Sequence, residues 1–137
     1  MPVSKKVKTQ DLDFQMQFYE GIVRENPGFV EALIALGEIY TKKGQYEKGL
    51  KIDLRLTELR PQNPIVHYNL ACSLSLLGDV AGSFKSIKRA VELGYDDFGF
   101  MTNDPDLSNL RRDKRFLQFF EKAKKDPTRL PDAKRTG

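Results

Sequence analysis

Residues 33–46 read LIALGEIYTKKGQY, and 34 residues further on, 67–80 read HYNLACSLSLLGDV with the same landmarks. Leu36, Tyr40 and Gly44 are followed at that interval by Leu70, Leu74 and Gly78. The match continues, Leu50 with Phe84 and Glu58-Leu59 with Glu92-Leu93, and small residues pair as well, Gly37 with Ala71 and Gly49 with Ser83. A period of this length belongs to helix-turn-helix units that cannot bury their apolar face alone and need a stacked neighbour. Leu33, Leu36, Ile39 and Tyr40 in one unit, and Ile65, Leu70, Leu74 and Leu77 in the other, recur at helical intervals before a glycine that permits a left-handed helix end. The second helices draw on Leu50, Leu54 and Leu59, then on Phe84, Ile87, Val91 and Leu93. The small pairs let the two helices of a unit approach closely. Pro61 stops the first unit and presets the connection to Pro64. The pattern predicts an all-α chain with helix pairs near 29–60 and 64–93.

These residues resemble the tetratricopeptide repeat family. The interval, Leu36-Gly37 with Tyr40, Gly44 before Tyr46, Pro61 closing the unit, and in the second unit Gly78-Asp79 and Ala90 stand where that pattern has them. The resemblance implies a right-handed helix-pair solenoid with full repeats at 30–63 and 64–97. There are departures: Gly49 replaces the usual alanine, Leu33 and His67 stand where tryptophan or leucine is common, and Tyr95 replaces the closing proline. Asp53 takes a place usually apolar, so it is expected at an edge or accepting a bond from a tyrosine hydroxyl or a base.

One period upstream, Pro61 projects onto Pro27, and residues 11–29 read as a half-repeat, the second helix of a unit without its first. Leu12, Met16, Tyr19 and Val23 form a stripe, widened by Phe18 and Ile22, on a helix expected near 10–26. Met16, Phe18, Tyr19 and Ile22 are therefore the expected assembly interface, for a second copy of the chain or for another protein, the alternative being that residues 1–26 fold back onto the first helix pair. Residues 98–125 are expected to cap the other end. DDFGFMTNDPDLSNL carries the turn residues of a loop and then a short helical turn at Asp104-Pro105, and a last helix near 113–125 carries Phe116, Leu117, Phe119 and Phe120. NDPDLSNLRRDKRF is similar to the terminal element that follows the last repeat in bacterial proteins of this family. A flexible basic segment, 1–10, and a flexible tail, 126–137, are expected to flank the domain at 11–125.

No catalytic constellation is apparent, and the chain is not expected to be an enzyme. Cys72 and His67 are each the single residue of their kind, so an intramolecular disulfide is excluded and no metal site or cofactor is expected. Asp104 and Asp106 lack the glycine and distal glutamate of a calcium loop, and helix capping is the simpler reading. Glycines occur without a Gly-Lys-Ser/Thr run, which leaves a nucleotide site without support. No segment reaches the roughly 18 apolar residues of a spanning helix, so membrane insertion is not expected, and the lone cysteine suits a reducing, cytoplasmic setting. Charge is uneven. Residues 1–10 hold three lysines and no acid, residues 111–137 ten Lys or Arg against four acids, and residues 11–110 ten against fifteen.

In tetratricopeptide solenoids the first helices line a concave face, and the resemblance implies that Glu31, Ile34, Glu38, Lys42, Ile65, Tyr68, Asn69, Cys72 and Leu76 are presented there. Tyr68 could stack on a ligand while donating a hydrogen bond, and Asn69 offers a donor and an acceptor. Some family members clamp the C-terminal carboxylates of chaperones; here Asn69 fits, but Ile34 and Glu38 replace the lysine and asparagine of that clamp, and Glu38 would repel a carboxylate. The expected function is a protein-interaction module or small scaffold that holds a peptide or helix of a partner, with a Lys- or Arg-bearing segment suiting Glu31 and Glu38. The alternative is an RNA- or DNA-associated adaptor using RRDKR and the lysines of the last helix. The acids interrupting that run make nucleic acid the less favoured partner.

Overall fold

The computed structural model describes residues 5–125, with side chains from residue 11 onward; the tail expected at 126–137 and the first four residues lie outside them. The described residues are helical and contain no strand, as the repeat requires. They divide into two compact units, Met1–Leu59 and Arg60–Gly137.

The first unit holds α1 (Lys5–Glu25), α2 (Val30–Lys42) and α3 (Tyr46–Leu59). α1 starts five residues earlier than expected, within the stretch for which a flexible segment is expected. It ends before Pro27, whose ring disfavours helical backbone at the preceding residue. α2 closes on Gly44, whose φ of 77° is the left-handed region where a side chain would be strained. The Gln45 amide reaches the Tyr40 carbonyl at 2.8 Å and the Gly44 amide the Thr41 carbonyl at 3.0 Å, a Schellman end that satisfies the last carbonyls. Where Gly37 faces α3, an added Cβ would stand 3.2 Å from the Ile52 methyl, so the expected small residue is needed. Ala32, Leu33, Leu36, Ile39, Tyr40 and Leu56 are buried.

One expectation fails here. Leu54 is 48% exposed, because the buried stripe of α3 runs through Gly49, Asp53 and Leu56 at intervals of four and three, and Leu54 lies about 100° round from Asp53. Asp53 is buried and is not without a partner, so of the two settings expected of it the edge is the one set aside.

The second unit repeats the design with α4 (Pro64–Leu76) and α5 (Val80–Glu92), then adds α6 (Phe98–Asn103), a 3-10 turn at Pro105–Leu107, α7 (Ser108–Arg111) and α8 (Lys114–Lys125). Asn63 caps α4 by accepting from the Ile65 amide at 2.8 Å, with Pro64 at the first helical position. His67 Nε2 lies 2.8 Å from the Pro61 carbonyl, which can only accept, so this nitrogen carries the proton. Gly78 repeats the Schellman end of Gly44, with the Asp79 amide 2.9 Å from the Leu74 carbonyl. Between α4 and α5 the Ser83 hydroxyl donates to the Ala71 carbonyl at 2.7 Å, a bond that Gly49 and Gly37 cannot form in the first unit.

α6 replaces part of the loop expected after residue 95. Asp97 accepts from the Phe100 amide at 3.0 Å, and fully buried Met101 anchors the turn, so one cap and one apolar residue outweigh the turn-forming neighbours. The core of this unit joins Ile87, Ala90 and Val91 of α5 to Met101, Leu107, Leu110, Phe116, Phe120 and Ala123. Asn109 and the Leu110 amide both bond to Ser75, at 2.8 and 3.3 Å, and tie α7 to α4. Leu77 and Leu117, expected among the apolar positions, are exposed.

Candidate functional site

The outward face of α2 follows from its buried one. With Leu33, Leu36 and Tyr40 turned inward, Glu31, Glu38 and Lys42 are exposed and Ile34 is half-buried. Glu31 and Glu38 lie seven residues apart, hence on one side two turns apart, with Ile34 between them. Among the described residues no ion pair reaches either glutamate.

In the second unit, α4 presents Ile65, 50% exposed, with Asn69 and Leu76 half-buried, whereas Tyr68 and Cys72 are buried. Tyr68 is not open to stack on a ligand. Its ring lies against Tyr95 at 4.4 Å in a near-parallel stack and is flanked by Phe100 at 6.0 Å. Its hydroxyl donates to Asp104 Oδ2 at 2.7 Å. Burial, then the Asp104 hydrogen bond, pushes the Tyr68 phenol far above its ordinary value, and burial raises Tyr95 to about 12. Asp104 also accepts from the Asp106 amide at 3.0 Å and lies 3.7 Å from Cys72 Sγ. Burial, then the neighbouring Asp104 charge, raises the Asp106 carboxyl.

Cys72, Asp104 and Asp106 bring ligand atoms within 4.8 Å of one another, and among the described residues this is the group that could approach a metal ion. Asp104 already serves Tyr68 and the 3-10 turn, and a soft thiol beside hard carboxylates matches no common donor set. Asp104 acts as the cap of the 3-10 turn and as the acceptor for Tyr68.

Phe100, 55% exposed, was not legible as a surface residue because its helix is spelled with turn residues. It lies in a segment, 95–106, with four aspartates and no base. Conversely, the basic run RRDKR is largely engaged within the chain. Arg111 donates to the Met101 and Asp104 carbonyls at 3.0 and 2.6 Å, Arg112 to Asn109 at 3.4 Å, and Arg115 grips Asp113 through two nitrogens. That grip holds the Asp113 carboxyl below its usual range.

Of the four residues expected as an assembly interface, Phe18 is exposed, while Met16, Tyr19 and Ile22 are half-buried. α1 leans on α2: the Tyr40 hydroxyl donates to Glu20 at 2.5 Å, and Lys43 pairs with Asp13. Burial, then Glu20, raises the Tyr40 phenol. Phe14, absent from the expected set, is the more exposed phenylalanine at 70%, against 55% for Phe18. The 3.6-residue period carries the signal, since Phe14 is one turn before Phe18. Among the described residues no helix is long and apolar enough to cross a membrane.

Residues 30–63 match the model of the tetratricopeptide repeat family. The chain is 32% identical over 80 residues to a chloroplastic protein of Arabidopsis thaliana, covering 56% of this chain and 24% of that protein. It is 30% identical over 110 residues to the peroxisomal targeting signal receptor of Pichia angusta, covering 77% of this chain and 19% of the receptor. The chain thus spans a quarter or less of the curated relatives it matches. The crystal structure of MamA superposes with a TM-score of 0.69 at 18% identity, over 90% of this chain and 73% of that one, which shows a shared fold. Repeat interval, glycine-closed helix pairs and these likenesses agree: residues 30–63 are a tetratricopeptide repeat, and the chain shares the fold of proteins built from such repeats.

Proposed function

We propose that the chain is a protein-interaction module, a small adaptor without catalytic activity, and that the outward face of α2 holds a Lys- or Arg-bearing segment of a protein partner. The observation that carries this is the pair of exposed carboxylates of Glu31 and Glu38, neither in an ion pair among the described residues, on either side of half-buried Ile34. A basic side chain near each end and an apolar contact between them suit that surface, and like-charged segments are repelled. The name of the Pichia angusta relative, a receptor for a targeting signal, supports the idea that this kind of fold holds a segment of another protein. By itself, α4 offers Ile65 and Asn69 as further contacts for a peptide.

A peptide array of Lys/Arg-bearing, neutral and acidic segments, probed with the purified chain, tests the reading. Basic peptides are expected to bind selectively and to weaken as salt is raised. The double variant Glu31→Lys/Glu38→Lys should bind them at least about fivefold more weakly, with unchanged circular dichroism and melting temperature. Undiminished binding by that variant would refute the assignment to α2.

A further inference from the structure

One face of α1 has no partner among the described residues and carries an ordered pattern. Asp11, Phe14, Phe18, Gly21 and Glu25 follow one another at intervals of three, four, three and four, so they form a single stripe along the helix. Its four side-chain-bearing residues are all exposed, and a Cβ placed on Gly21 would meet nothing within 4 Å. The rest of the helix from Leu12 to Val23, apart from Gln17, is at least half-buried. Two phenylalanines left largely in water forgo the stabilisation that burial would give each of them. Acids bound the stripe at both ends, roughly 21 Å apart at 1.5 Å per residue. Neither Asp11 nor Glu25 has an ion pair among the described residues; Asp11 accepts only from Gln15, at 2.8 Å.

This charge pattern decides the occupant. A second copy docking antiparallel about Phe18 would set Asp11 against Glu25 at both ends, and a parallel copy would set each acid against itself. Both arrangements oppose carboxylates where the helices meet. A helix of opposite charge does not meet that obstacle. We infer that the α1 stripe is a docking seam for an amphipathic helix of another protein, one that lays apolar side chains on Phe14 and Phe18 and brings a Lys or Arg to Asp11 and to Glu25. Gly21 leaves room for that helix to approach closely beyond Phe18. The expected assembly role of α1 is kept, but self-association gives way to a basic partner helix, and Phe14 takes the place of the half-buried Met16, Tyr19 and Ile22. The inference is independent of the α2 face.

The test uses two synthetic helical peptides that share the same pair of leucines four residues apart and differ in having lysines or glutamates at both ends. Fluorescence anisotropy at low ionic strength is expected to show the lysine peptide binding the full chain at least about tenfold more tightly. Asp11→Lys/Glu25→Lys should invert the preference. Phe14→Ser/Phe18→Ser should abolish binding of both peptides without loss of helical circular dichroism, since neither ring is part of the core. Glu31→Lys/Glu38→Lys should leave binding unchanged, which separates this seam from the α2 face. Equal affinity for the two peptides, retained binding by the serine variant, or loss of binding on changing Glu31 and Glu38 would each overturn the inference. So would a wild-type dimer in analytical ultracentrifugation that the serine variant abolishes, since the seam would then be filled by a second copy.

Discussion

Tyr68 illustrates what a single position can and cannot tell in advance. Its place on the first helix of a repeat was legible, because the 34-residue interval assigns it there. Its burial was not, because Tyr95 stands where the repeat would place a proline, Phe100 and Asp104 come from a segment without periodicity, and Asp104 is 36 positions away. Tyr68→Phe removes the donor and leaves a buried carboxylate oxygen short of a partner, so a loss of about 1–3 kcal/mol is expected in urea unfolding. The pH dependence follows from the raised phenols. Tyr40, Tyr68 and Tyr95 keep their protons in the folded state at pH values where an unfolded tyrosine, at its ordinary value of 10.0, has released them. The unfolded state then binds fewer protons, and stability falls as pH rises. The contribution is complete below pH 10.0 and drains as the pH climbs towards about 12, the value to which Tyr95 is raised. Urea midpoints should therefore drop across that interval, and less steeply in Tyr68→Phe. A midpoint indifferent to pH there would show that these phenols are solvated.

At the scale of the element, turns were more legible than faces. The glycines at 44 and 78 have φ of 77° and 87°, and each closes its helix with the same pair of backbone bonds, so the sequence interval reflects one backbone requirement met twice. Neither glycine would meet a neighbouring atom on gaining a Cβ, which isolates the conformational cost from any clash. Gly44→Ala and Gly78→Ala should each destabilise by about 1–2 kcal/mol, the penalty of a left-handed residue with a side chain. Thermal melts check this, and an unchanged Tm in both would mean that the helix ends relax into another turn at little cost. Faces were harder to read. Leu54 looks like a core residue by type but lies outside the stripe through Gly49, Asp53 and Leu56, because a carboxylate occupies the position that would have marked the buried side. α6 was missed for a related reason: its cap, Asp97, and its anchor, Met101, sit among glycine, asparagine and aspartate.

Across the whole molecule, the open question for a short repeat array is what covers the ends of its core, since roughly three repeats are usually needed for stability. In the second unit that role falls to α8. Phe116, Phe120 and Ala123 are buried, with Phe116 tilted on Phe120 at 5.5 Å and Phe84 edge-on to Phe116 at 6.4 Å. This much was legible, since the phenylalanines of 113–125 form an apolar stripe on an otherwise charged helix. How they reach the rest of the core was not, because the contacts run through Met101, Leu107 and Leu110 of the aperiodic stretch. Replacing a fully buried phenylalanine by alanine costs about 3–5 kcal/mol, a large share of the 5–15 kcal/mol that holds a typical domain together. Phe116→Ala should therefore leave the second unit marginal. A chain ending at residue 112, which lacks both phenylalanines and leaves Met101, Leu107 and Leu110 without their cover, should lose cooperative unfolding and bind a hydrophobic dye. Phe116→Leu, which keeps most of the volume, should fall between wild type and Phe116→Ala. If the truncated chain melted with the wild-type midpoint, α8 would be an appendage, and the core of the second unit would have to be complete in the helix pair and the segment 95–112 alone.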